Sequence, residues 1–354
     1  MNANKKRRVT ARRGAAVGAA LLSFCLAFSS AGCAARRTAD SGTGDSVEEK
    51  ISVVTTIFPP YDFVREIAGD QVELKMLLKP GEETHSYEPT PRDIIAIQNS
   101  DVFIYTGGEN DVWVEDILSS MPESDMRILR LVDCVDTVEE EQVEGMKGSA
   151  GHDHGEESYD EVHGADAHAH EEESGESPHE VDEHVWTSPV NASLITDQIR
   201  ETLSSVDPAH SQTYEENARS YQEKLSELDK EFREAVKHAK RDLLIFGDRF
   251  PFRYFADEYG LKYYAAFPGC AGDTEPSAAT MAFLIEKVKE EQVPAVLKME
   301  LSNEDIANAV AEATDTEVKV FYSCHNLSAD EFERGETYLT MMQKNVETLK
   351  EVLN

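Results

Sequence analysis

The sequence predicts an α/β protein of two lobes, each with a parallel sheet flanked by helices, joined by one long bridging helix. Three observations lead there. Short β-branched runs alternate with helical segments in both halves of the chain, the signature of parallel strands with helices on both faces of the sheet. A single apolar stripe of helical period runs through residues 207–241 between those halves. Setting aside the leader described below leaves about 320 residues, enough for two domains of ordinary size.

Residues 51–57 are a β-branched run ending at Phe58-Pro59-Pro60, and 61–68 has helical spacing. Strands follow at 72–78, 102–105 and 127–132, with helices at 91–98 and 112–118. After Val138 the pattern collapses. Residues 139–183 carry His152, His154, His163, His168, His170 and His179 among many Glu and Asp, with almost no large apolar side chains. Such a segment cannot bury enough surface to offset its chain entropy, so a disordered insertion is expected. In the bridging segment Tyr214, Ala218, Tyr221, Leu225, Leu228, Phe232 and Val236 recur at spacings of three and four, and Asp207-Pro208 is the start signal. Strands are then expected at 243–246, 262–267, 295–300 and 317–322, and helices at 252–259, 277–291, 304–313 and 338–353. Ser302 and Asp305 have the spacing of a capping box at the start of the third of these helices. The first lobe is thus 51–206, the bridging helix 207–241 and the second lobe 242–354.

The first 32 residues read as an address. Lys5, Lys6, Arg7, Arg8, Arg12 and Arg13 precede an apolar run at 14–28 that is too short for a stable membrane span. It closes on Ser30-Ala31-Gly32-Cys33, which resembles a lipoprotein signal in which Cys33 is acylated and becomes the mature N-terminus. Ser30 departs from that pattern, where an apolar residue is usual. Residues 33–50 read as a polar tether, so the mature chain is expected outside the cytoplasm, lipid-anchored to the cell membrane.

The chain has 34 basic and 69 acidic residues, and the leader holds six of the former and none of the latter. The mature surface therefore repels nucleic acid and anionic lipid and concentrates cations. Beyond the leader and Cys33 lie Cys134, Cys270 and Cys324, an odd number for an oxidising compartment. Cys270 and Cys324 both follow predicted strands, which makes them the expected disulfide pair.

Two histidines stand out by position. His85 lies in a loop after a strand, where ligands bind in open α/β sheets. His184 lies where apolar content returns after the acidic insertion. Each alone is a weak signal, but their contexts are specific. His85-Ser86-Tyr87-Glu88-Pro89-Thr90-Pro91 and Asp182-Glu183-His184-Val185-Trp186-Thr187-Ser188-Pro189 resemble the two metal-ligand motifs of the zinc/manganese (cluster A-I) class of ABC-importer substrate-binding proteins. Residues 53–60, 254–261, Thr274-Glu275-Pro276-Ser277 and 338–345 agree with the same family, and the resemblance covers about residues 50–354. It implies two α/β lobes, a rigid bridging helix and one metal ion at the lobe interface.

The second lobe departs from that family. The position of its third ligand, about twelve residues before Tyr259-Gly260-Leu261, holds Arg249, which has no lone pair to donate. Its charge needs a carboxylate partner, such as Asp248 or Glu300. The fourth family ligand falls on or beside His325, in Phe321-Tyr322-Ser323-Cys324-His325-Asn326, which makes His325 the expected third ligand. Glu300 is either the acidic completion of the shell or a partner for Arg249, and Cys324 ligates only as a thiolate. Three imidazoles with at most one carboxylate favour Zn2+ over Mn2+, which prefers oxygen donors. The insertion histidines are expected to make weak, exchangeable metal contacts.

The resemblance implies a monomeric receptor without catalysis that hands its ion to an ABC permease. A zinc-dependent hydrolase is the alternative that three histidines also allow, but the sequence has no His-Glu-x-x-His helix and no clear general base. A surface adhesin or a metal-buffering lipoprotein would share the metal site.

Overall fold

The computed structural model describes residues 50–83, 87–122, 124–146, 181–271 and 275–354. In the first lobe β1 (Ile51–Thr55), β2 (Val72–Met76), β3 (Val102–Tyr105) and β4 (Arg127–Arg130) form a parallel sheet of order β2-β1-β3-β4. Helices α1 (Phe58–Ala68), α2 (Pro91–Gln98), α3 (Val112–Ser120) and α4 (Pro189–Val206) accompany it. After α5 (Ser211–Lys237) come β5 (Leu243–Phe250), α6 (Arg253–Tyr259), β6 (Lys262–Pro268), α7 (Ala278–Glu291), β7 (Ala295–Lys298), α8 (Asp305–Thr314) and β8 (Glu317–Val320). Their parallel sheet has the order β6-β5-β7-β8, the same winding as the first. Two helices close the chain, α9 (Ala329–Glu333) and α10 (Tyr338–Val352).

Successive strand residues point to opposite faces, and that alternation divides the core. From β3, Val102 and Ile104 join a central cluster, while Phe103 and Tyr105 face a smaller one with Ile97 and Val114. From β5, Leu244 and Phe246 join the same central cluster, while Leu243 and Ile245 pack with Leu284, Val288 and Val310. The inner faces of both sheets thus meet in one continuous core. The α5 stripe supplies its middle, with Tyr214, Ala218, Tyr221, Leu225, Leu228, Phe232 and Ala235 buried. The N-terminal half of this helix is tied to α1, where the Asn217 side-chain amide donates to the Ile67 carbonyl at 2.9 Å. Its C-terminal half is tied to α6, where the Tyr259 hydroxyl donates to Asp229 at 3.1 Å.

Several expectations are corrected. The bridging helix is shorter than 207–241, because Pro208–His210 form a separate short turn and α5 begins at Ser211. Helix α4, which the spacing does not predict, is capped by Ser188, whose side chain accepts from the Asn191 amide, and buries Ile195, Ile199 and Leu203. Strand β5 runs on to Phe250 through a register shift between Phe246 and Arg249. Ser302 does not cap α8. Its hydroxyl donates to Asp248, and the N-cap residue Glu304 makes no side-chain capping bond.

The described ends of the expected insertion, residues 139–146 and 181–183, are packed on the fold. Glu139 bridges Val181, Met146 is buried, Val143 packs against the central core, and Glu141 pairs with Arg253. The ends of the segment are therefore held on the protein by a few apolar anchors and by charge pairing. Cys270 and Cys324 are not joined. Cys324 is fully buried in the central core with its thiol towards the Tyr322 carbonyl, whereas Cys270 lies in the loop after β6, where its amide donates to Glu140.

Because the two lobes share one core, Leu225→Ala should destabilise the whole protein by about 2–5 kcal/mol, the usual cost of a buried Leu→Ala truncation. In denaturant titrations of the mature chain followed by tryptophan fluorescence and circular dichroism, the two signals should move together. Separate transitions for the two lobes would contradict a shared core.

Candidate metal centre

The site lies beyond the carboxyl ends of the strands, where the first-lobe loop after β2 meets the second-lobe loop after β8. The Asn326 side-chain amide donates to the carbonyls of Lys79 and Glu82 at 2.8 and 2.9 Å, and the Gly81 amide donates to the Leu327 carbonyl at 2.8 Å. On the other side the His325 carbonyl accepts from the Phe58 amide at 3.3 Å. These bonds fix the His325 segment against the first lobe.

His184 is fully buried. Its backbone amide and its Nδ1 both lie against one oxygen of Asp182, at 2.9 and 2.8 Å. A carboxylate at Nδ1 selects the tautomer whose lone pair is on Nε2, the arrangement that prepares an imidazole for a metal. Nε2 of His184 is buried and has no hydrogen-bond partner among the described residues. Burial alone would push the His184 pKa down, but the charge and hydrogen bond of Asp182, aided by Glu183 and Glu140, hold it above the ordinary value. Asp182 is itself positioned from the second lobe, because the Tyr254 hydroxyl donates to its carbonyl at 2.6 Å.

His325 stands edge-on to His184 with ring centroids 4.7 Å apart, and Trp186 packs against it at the same separation. Nδ1 of His325 lies 3.4 Å from the Ser323 hydroxyl. The Trp186 indole N–H donates to the Ser323 carbonyl at 2.8 Å, and the Tyr338 hydroxyl donates to the Trp186 carbonyl at 2.7 Å. The two imidazoles are therefore held by one tryptophan that is hydrogen-bonded into the opposite lobe. Gly269 completes the wall: a Cβ there would stand 3.0 Å from Cε1 of His184, so a larger residue would crowd the ring.

Among the described residues, one group of metal-binding side chains converges, formed by Glu183, His184 and His325, with one donor atom from each within 4.8 Å of the others. Glu183 has no assigned role in the sequence reading. Its signal was present in the motif, as a carboxylate directly beside the expected ligand histidine in an apolar context. Glu300 takes a different place. One of its oxygens accepts from the Ser323 amide at 2.7 Å and the other from the Ser323 hydroxyl at 2.8 Å, so it stands behind Ser323 and His325. Burial pushes its carboxyl up to about 7 against those hydrogen bonds.

Arg249 is paired with neither Asp248 nor Glu300. Its guanidinium donates to Glu83 of the first lobe at 2.6 Å and to the Ala271 carbonyl at 3.3 Å. Asp248 instead accepts from the amides of Arg249 and Met299, both at 2.8 Å. Glu83 and Tyr87 flank the expected ligand loop, and Tyr87 packs on Trp113 with centroids 5.6 Å apart. His85 itself lies outside the described residues, as do Cys33, His152, His154, His163, His168, His170 and His179. Among the described residues no helix is long and apolar enough to cross a membrane.

The chain is similar to known proteins over most of its length. Residues 53–352 match the family described as ZnuA, zinc-uptake complex component A periplasmic. The chain is 31% identical over 332 residues to the zinc-binding lipoprotein AdcA of Streptococcus pneumoniae, covering 94% of this chain but 60% of that protein. It is 32% identical over 315 residues to the high-affinity zinc uptake system protein ZnuA of Bacillus subtilis, covering 88% of this chain and 90% of that one. Among solved structures, the Zn(II)-bound ZnuA-like domain of S. pneumoniae AdcA superposes with a TM-score of 0.66 at 28% identity, over 86% of this chain and 99% of that domain. The metal-dependent lipoprotein YcdH of B. subtilis gives 0.67 at 29% identity, over 86% of this chain and 100% of that one. The match over nearly the whole two-lobed body, around a buried histidine pair at the lobe seam, shows that this chain belongs to the ZnuA family.

Proposed function

We propose that this protein is an extracytoplasmic receptor that binds zinc between its lobes and delivers it to an ABC-type importer, without catalysing a reaction. The observation that carries this reading is the buried His184–His325 pair, with Nε2 of His184 oriented by Asp182. Burying an imidazole lone pair without a partner is costly, and a metal ion is the partner that the Asp182-selected tautomer is built to meet. His85 is proposed as a further ligand from the sequence motif. Glu300 is proposed to tune the shell through Ser323 and His325. The zinc named for the relatives from Streptococcus and Bacillus supports the same ion here.

The surroundings fit capture and release. Acidic surface concentrates cations near the mouth, and the insertion histidines are proposed to hold zinc weakly on its way in. Acylation at Cys33 is proposed to keep the receptor at the membrane beside its permease. Small movements of the lobes, allowed by their shared core, are proposed to accompany release.

His184→Ala should weaken zinc binding by orders of magnitude in competition with a chromogenic chelator, and an unchanged affinity would refute the site. Asp182→Asn should keep the imidazole but lose its orientation, at a cost of about 10- to 100-fold.

Zinc must displace the proton from each imidazole, so affinity should be full at alkaline pH and fall as pH drops. Because the His184 pKa is raised, that fall should begin above the ordinary imidazole range, and Asp182→Asn should move it to lower pH. Zinc titrations at a series of pH values test the direction.

Deleting residues 147–180, which spares the packed ends of the insertion, should leave one tight site and remove weaker binding seen by calorimetry. Loss of the tight site in that variant would place the receptor in the insertion instead.

A further inference from the structure

We propose that Glu183 is a direct ligand of the metal, supplying from the first lobe the oxygen donor that Arg249 cannot supply from the second. This assignment rests on the receptor reading above and specifies its coordination shell.

Three observations point to it. Glu183, His184 and His325 form the group of donors that converges among the described residues, and all three are buried. Nε2 of His184 is fully enclosed and makes no hydrogen bond among the described residues. Glu183 is also oriented from outside the group, as ligating carboxylates commonly are. Its Oε2 accepts from the Asn110 backbone amide at 3.2 Å, and its Oε1 accepts from the Asn110 side-chain amide. Gly108 makes room for it, since a Cβ there would fall 2.5 Å from Oε2.

A carboxylate oxygen that accepts one hydrogen bond keeps a second lone pair, so the Asn110 contacts aim the group without consuming it. In a tetrahedral zinc shell with bonds of about 2.0–2.1 Å, donors stand about 3.3 Å apart, so the three side chains must draw inward on binding. Rotation of the Glu183 side chain, anchored at Asn110, allows that movement. Glu300 is less well placed for the same task, because both its oxygens are turned to Ser323.

The charges are consistent with this role. Arg249 puts a fixed positive charge at the second-lobe position and is tied to Glu83. A carboxylate on the first-lobe side restores an anionic ligand to a shell that would otherwise be all imidazole. An oxygen donor also makes the site more tolerant of cobalt and manganese than imidazoles alone.

The test compares the mature full-length protein with Glu183→Gln, Asn110→Ala and His184→Ala variants. Zinc affinity is measured by chelator competition, and the zinc-induced infrared difference spectrum reports whether a carboxylate changes its bonding. In the wild type, zinc should shift a carboxylate stretching band, and that shift should vanish in Glu183→Gln. Affinity should fall about 100-fold or more in Glu183→Gln, beyond the roughly 10- to 100-fold expected when an orienting partner is lost. Asn110→Ala should weaken binding less and keep the band. A wild-type spectrum with tight zinc binding and no carboxylate shift overturns the assignment, even if Glu183→Gln fails to fold. So does a Glu183→Gln protein that keeps both its affinity and the band. Wild-type protein that binds no zinc overturns the receptor reading, and this assignment with it.

Discussion

The structure depends on burying two imidazoles in the seam between its lobes. A buried polar ring must be satisfied or it destabilises the fold, and here the ring partners, each two residues away, are themselves held from distant parts of the chain. Asp182 fixes one face of His184, and Ser323 with Glu300 stands behind His325. Tyr254 and Tyr338 reach in from α6 and α10 to hold the loop that carries His184 and Trp186. Removing any one of these supports leaves a buried polar atom unpaired, so the site and the lobe packing are one cooperative unit.

That unit sits on a core shared by both sheets. Each sheet gives one face to the common interior and the other to its own helices, and α5 fills the space between them. A hinge protein with two separate cores opens by parting its lobes at little cost. Here, wide opening would expose Tyr214, Tyr221 and Phe232, which are fully buried or nearly so. Small adjustments at the rim loops cost far less, and those loops are where Arg249 meets Glu83 and Asn326 meets Lys79 and Glu82.

For the proposed receptor, the electrostatics would separate capture from selection. A strongly acidic chain concentrates cations at its surface. In the proposed receptor, choice among cations would fall to a few buried donors, whose geometry is set by neighbours outside the group. Arg249 illustrates the division. It stands where a ligand is expected, yet its bond to Glu83 makes it a tie between the lobes and keeps its positive charge paired beside the proposed cation site.

Much of this was legible in the amino-acid sequence. Alternating β-branched runs located the eight strands of the described residues, because the pleat imposes a period of two, and the α5 stripe appeared at its helical period with only the last buried position displaced from Val236 to Ala235. The segments around His85 and His184 carried enough motif to name a metal-binding family. Helix α4 escaped, because its apolar residues are spread among polar ones and its stability comes from packing on α1 and α5. The ends of the insertion escaped because a few anchors such as Met146 outweigh a composition typical of disorder. Composition and periodicity follow from local chain geometry, which the sequence alone determines. Which carboxylate faces Arg249, that Glu300 stands behind Ser323, that Cys270 and Cys324 lie apart, and that Glu183 converges with His184 and His325 are contacts between segments far apart in the chain. Only the tertiary structure decided these, because each depends on how the two lobes pack against each other.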